Sequence, residues 1–76
     1  KYEYEKAEFI FVRSDRKMVK INFSDINYIA SVGDYIKIYL GNRSVITRET
    51  ISNIEAKLPG LEFLRIHRSF IVAISK

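Results

Sequence analysis

The apolar positions of this chain fall into short runs of β-strand period, interrupted every few residues by polar or glycine-containing steps. Glu8 to Arg13 reads EFIFVR, a continuous Phe-Ile-Phe-Val run that predicts a strand covered on both faces. Ser14-Asp15-Arg16-Lys17 is a turn by composition, and Met18 to Phe23 returns as a second strand. Ser24-Asp25 is suited to start a single helical turn, because short oxygen side chains satisfy free backbone N–H groups there. Asn27 to Ser31 forms a third short strand, broken by Val32-Gly33-Asp34. Tyr35 to Leu40 alternates most cleanly. Ile36, Ile38 and Leu40 point one way; Tyr35, Lys37 and Tyr39 point the other.

Gly41-Asn42 fits a two-residue hairpin loop, with the glycine supplying a positive φ. That register sets Tyr39 opposite Ser44, Lys37 opposite Ile46 and Tyr35 opposite Arg48, so Tyr35, Lys37, Tyr39 and Arg48 share an outward face. One short helix is expected over about 50–58. Thr50 is its N-cap, Ile51, Ile54 and Leu58 lie on one face, and Pro59-Gly60 ends it. Ser52 and Glu55 offer a competing capping box that would start it two residues later. Glu62 to His67 and Phe70 to Ser75 are the last two strands, joined by the polar step His67-Arg68-Ser69. Residues 1–7, KYEYEKA, read as a linker end or a frayed first strand, leaving 8–76 as the folded domain. The sum is a mainly β domain of about seven short strands with one helix packed on it. The last apolar run stops abruptly at Lys76, and a final strand without a partner is an exposed edge.

Composition narrows the possibilities further. Seventy-six residues make one domain at most, and a chain of this size buries only roughly 60% of its unfolded surface. An apolar content of 47% still provides a core, and the absence of cysteine removes disulfides and thiolate metal sites as sources of stability. The chain opens on Lys1 rather than methionine and is expected to be a piece of something longer; no charged-then-apolar leader and no run of 18 apolar residues support secretion or membrane spanning. A cytoplasmic setting is the expectation. The net charge of +4 suits an acidic partner such as nucleic acid and equally suits mere solubility.

Catalysis has little to stand on. One histidine, no cysteine and scattered carboxylates do not assemble a nucleophile, a base and an orienting group. Asp15, Asp25 and Asp34 fall at expected turns, where aspartate is common for backbone reasons. The glycines are isolated turn residues, not a phosphate-cradling loop, so neither cofactor nor metal is expected. Arginine and lysine are better placed. Arg65, His67 and Arg68 cluster near the last turn, and Arg13, Arg16, Lys17 and Lys20 cluster around the first. Guanidinium groups bind phosphate and read guanine edges bidentately, though the same positions also read as solvated strand and turn residues. His67 at a strand end suits pinning a turn through a backbone carbonyl, and Ser69 suits forming it. Tyr35 and Tyr39 fit a stacking platform for bases or ordinary strand packing, with packing favoured for Tyr39.

Taken in order, these pieces resemble the LytTR DNA-binding domain of bacterial response regulators of the LytR/AlgR type. FIFVRSDRKMVKINFSDINYIASVGDYIKIYL is similar to that family's opening, TRETISNIEAKLP to its short helix, and FLRIHRSFIV to its F-x-R-x-H-R-S-x-[IV]-V signature. The resemblance covers residues 9–75. It implies an elongated stack of small antiparallel sheets that inserts loops, not a helix, into DNA grooves. It also implies an output domain of a two-component phosphorelay, without catalytic activity, attached to a receiver domain and bound to promoter repeats as a homodimer. Arg68 and Tyr35 become the leading DNA contacts, with His67, Ser69 and Asp34 beside them. Lys37 and Arg48 join only through the hairpin register above, and Arg13, Arg16, Lys17 and Lys20 stand as phosphate contacts. Two departures are visible: Ala73 stands where the family often has asparagine, and the family's further hairpin and basic tail are missing after Lys76. The competing expectation is a protein-interaction or dimerisation module that pairs through the strand edge near 70–75.

Overall fold

The computed structural model describes residues 8–74; the 1–7 segment lies outside them. Seven strands and one helix follow one another as β1 (Phe9–Ser14), β2 (Lys17–Asn22), β3 (Ile26–Val32), β4 (Tyr35–Leu40), β5 (Ser44–Thr47), α1 (Ile51–Lys57), β6 (Phe63–His67) and β7 (Phe70–Ala73), with a single 3-10 turn at Phe23–Asp25. β1 and β2 make a separate two-stranded hairpin, and the other strands form an antiparallel sheet in the order β5-β4-β3-β7-β6. The molecule is elongated, 43 × 29 × 24 Å.

Alternation decides which side of each strand is buried. Ile29, Ile36, Ile38 and Ile71 are fully buried on one face of the five-stranded sheet, where Ile51, Ile54 and Leu58 of α1 and Val12 and Ile21 of the hairpin join them in one core. The opposite face is open and strongly apolar, carrying Tyr28, Val32, Tyr35, Ile46, Leu64 and Phe70 as exposed side chains.

The hairpin therefore covers the sheet from one side only. Val12 is buried, whereas Phe9 and Phe11 remain 39% and 52% exposed, so the EFIFVR run is not covered on both faces. Its apolar content reflects an aromatic outer side, where Phe9 and Phe11 meet edge-to-face at 5.6 Å. Two side-chain bonds fasten it to the larger sheet: Ser14 Oγ donates to the Ile46 carbonyl at 2.6 Å, and Thr47 Oγ1 donates to the Arg13 carbonyl at 2.5 Å.

α1 starts at the cap proposed for it. The Thr50 hydroxyl accepts from the Asn53 N–H at 3.1 Å, so the Ser52/Glu55 alternative is not used. Leu58 is extended at φ −93° and ψ 148°, as a residue before proline prefers, and this ends the helix. Several expectations need correction. The single helical turn expected at Ser24-Asp25 is present as the 3-10 turn, one residue earlier, with Asn22 at its N-cap making no side-chain cap bond. Gly41 has no positive φ; that conformation is found at Gly33 and at two non-glycine residues, Asp15 and Arg16. β5 ends at Thr47, opposite Ile36, so Arg48 lies beyond the ladder and does not face Tyr35. Finally, β7 is an interior strand. It pairs with β3 through Ile29↔Ile71 and with β6 through Phe63↔Ala73, so residues 70–73 offer no edge for a partner chain.

Candidate nucleic-acid interface

One end of the larger sheet gathers most of the singled-out residues. Antiparallel pairing makes the β3–β4 turn at Gly33-Asp34 and the β6–β7 turn at Arg68-Ser69 neighbours, because β3 and β7 lie side by side. The Ser31 N–H donates to the Ser69 carbonyl at 2.8 Å and ties them together. Tyr35 begins β4 at that same end, opposite Val32. Its side chain is 47% exposed and makes no ring contact within the described residues. Arg48 follows β5 there and shares a cleft with Ser31, Gly33, Asp34 and Glu49.

The last turn is held by its own neighbours. The Ser69 N–H donates to His67 Nδ1 at 3.1 Å. His67 therefore pins the turn as an acceptor, not by donating to a carbonyl. A bulge between Arg65 and His67 breaks the strand alternation just before the turn. It sets His67 against the Phe70 ring, centroids 5.7 Å apart, while Arg65 reaches the helix side. Arg68 is exposed, and its guanidinium has no hydrogen bond or ion pair among the described residues.

Arg65 behaves differently from its sequence neighbours. Its guanidinium donates to Ser52 Oγ, Glu55 Oε1 and the Arg68 carbonyl, so it is neither a solvated strand residue nor a free cation. Sequence reasoning missed that role.

The basic cluster near the first turn divides. Arg13, Arg16 and Lys17 are exposed at the turn, which the Ser14 and Thr47 bonds hold beside the end of β5. Lys20 lies further along the hairpin, with its ammonium 4.4 Å from the Phe9 ring centroid. Lys37 also departs from the tip. It lies on the open sheet face opposite Ala30, its ammonium 5.1 Å from the Tyr39 ring. Tyr39 itself stacks on Tyr28 at 4.2 Å, which makes it a packing residue as the pattern suggested. Among the described residues, no group of three His, Cys, Asp or Glu side chains converges as a metal site would need, and no helix is long and apolar enough to cross a membrane.

A family model, the LytTr DNA-binding domain, matches residues 16–76. This chain belongs to the LytTR family of DNA-binding domains. Similar proteins include the sensory transduction protein LytT of Bacillus cereus, 33% identical over 61 residues, which span 80% of this chain and 25% of that protein. The protein of the same name from Oceanobacillus iheyensis is 34% identical over 68 residues, 88% of this chain and 28% of its own length. This LytTR domain thus spans about a quarter of the curated relatives it matches. In fold it is similar to a LytTr DNA-binding domain of a Bacillus cereus protein described as a methyl-accepting/DNA response regulator. The TM-score is 0.77 at 20% identity, over 92% of this chain and 64% of the other.

Proposed function

We propose that this domain binds duplex DNA sequence-specifically for a bacterial transcriptional regulator, a two-component output module, by inserting turns into the DNA grooves. Arg68 and Tyr35 enter successive major grooves, with His67, Ser69 and Asp34 supporting them. Arg13, Arg16, Lys17 and Arg48 meet phosphates nearby. In the complete regulator two copies bind promoter repeats as a homodimer. The reading gives Lys37 and Lys20 smaller parts, since each already lies over a ring of its own chain.

The observation that carries it is Arg68. A guanidinium without a partner among the described residues, on a turn whose backbone is bonded on both sides, is pre-organised to meet an external acceptor. Family membership supplies the class of partner. The experiment is binding of Arg68→Ala and Tyr35→Ala to a duplex enriched from a random pool by the unmodified chain. Arg68→Ala is expected to lose about 1–3 kcal/mol, concentrated at one base position. If both variants bind like the unmodified chain, the site assignment is wrong.

A further inference from the structure

We infer that Arg65 is a positioning residue through which helix α1 sets the turn that presents Arg68; the inference rests on the reading of Arg68 as a DNA contact. Its basis is one guanidinium shared by a helix and a turn. Nη1 donates to Glu55 Oε1 at 3.0 Å and to Ser52 Oγ at 3.2 Å, both on α1. Nη2 donates to the Arg68 carbonyl at 2.7 Å. A planar fork with five donors can serve acceptors in different directions at once; a lysine ammonium on a flexible stem cannot hold that arrangement.

The turn's backbone is thereby bonded at three successive groups. Arg65 holds the Arg68 carbonyl, His67 accepts from the Ser69 N–H, and the Ser31 N–H donates to the Ser69 carbonyl. The exposed Arg68 side chain is left to face outward from that held backbone. The bulge at Arg65/His67 is what lets residues two apart approach the turn from different sides of the sheet. Fixing a carbonyl fixes the adjoining peptide plane, and with it the direction in which the Arg68 side chain leaves the chain.

Charge and geometry make opposite predictions here. Glu55 lies against Arg65 in an ion pair, so the pair adds little net attraction for phosphate. Glu55→Ala removes one negative charge, which on charge alone tightens DNA binding. Alanine is also the best helix former, so α1 itself is not weakened. If Arg65 acts by positioning, the same change weakens binding, because the guanidinium loses its anchor on the helix.

The test uses the full chain with two probes, the enriched duplex described above and a random duplex of equal length. Arg65→Lys and Arg65→Gln are expected to lose about tenfold in affinity for the enriched duplex. For Arg65→Lys, binding to the random duplex is expected to stay unchanged, because the charge is kept. Glu55→Ala is expected to lose about threefold on the enriched duplex despite its extra positive charge. In the free protein, hydrogen exchange at the Ser69 amide is expected to quicken in all three variants. Full binding by Arg65→Lys, or tighter binding by Glu55→Ala, overturns the inference. Loss of discrimination in Arg68→Ala but not in Arg65→Lys removes the positioning role alone. Unchanged binding by Arg68→Ala, or failure of the unmodified chain to enrich any sequence, removes the DNA reading beneath it.

Discussion

Arg16 occupies a conformation that costs an L-residue free energy. Its φ is 67°, and Asp15 before it is at 54°. Two successive left-handed residues are what a two-residue hairpin loop requires, and glycine would adopt them without a side-chain penalty. An exposed arginine held there gives up stability for a charge at the tip of the hairpin. Arg16→Gly is accordingly expected to raise stability by about 1 kcal/mol in denaturant unfolding. It should weaken duplex binding evenly across sequences and reduce the slope of log affinity against log salt by about one. Single residues were unevenly legible in the sequence. Thr50, Ile51, Ile54 and Leu58 could be placed because capping and helical spacing are local. Arg65 could not, since its helix partners lie 10 and 13 residues upstream and no local pattern brings α1 over the side of β6 that Arg65 shares with Phe63. Lone His67 was conspicuous, yet its bond runs to an amide two residues away rather than to a carbonyl.

At the scale of elements, α1 spans only Ile51–Lys57 and cannot hold itself in water. Its apolar side is buried in the core, and its start is strengthened by Glu49 as well as Thr50. The Glu49 carboxylate accepts from Asn53 Nδ2 at 3.0 Å and from the Thr50 N–H at 3.1 Å, with Lys57 Nζ at 3.7 Å. These groups, led by the Asn53 bond, hold its pKa below the ordinary 4.5. Because the folded value is depressed, Glu49 stabilises the fold above the unfolded carboxyl pKa, and the contribution is lost as pH falls through the folded value. Glu49→Gln is therefore expected to melt earlier than the unmodified chain at neutral pH, with the gap closing as pH falls through the lowered folded pKa of Glu49. Thermal melts across that range measure it. Strands were legible wherever β period was sustained, as in Tyr35–Leu40. The hairpin was misjudged, because a run of Phe, Ile, Phe and Val looks alike whether it is covered on one side or two.

For the whole molecule, what local pattern could not reveal is strand order. Placing β7 between β3 and β6 depends on pairing residues far apart in the chain, Ile29 with Ile71 among them. That placement turns the expected open edge into an interior strand. It also makes neighbours of two turns that sequence spacing keeps apart, Gly33-Asp34 and Arg68-Ser69. The resemblance had already joined them as implied DNA contacts; the sheet gives the physical reason they stand together. Arg48 reaches that end by a different route from the one the hairpin register suggested, and Lys37 leaves it. The most direct test of this account is an amide-shift titration of the isotope-labelled chain with the enriched duplex, followed by NMR at moderate salt. The account predicts that the largest changes fall in residues 14–17, 33–35, 48 and 67–69, all at one end of the molecule. Changes concentrated instead at the opposite end, around Gly41-Asn42 and Pro59-Gly60, or along the open sheet face at Tyr28 and Lys37, would contradict it.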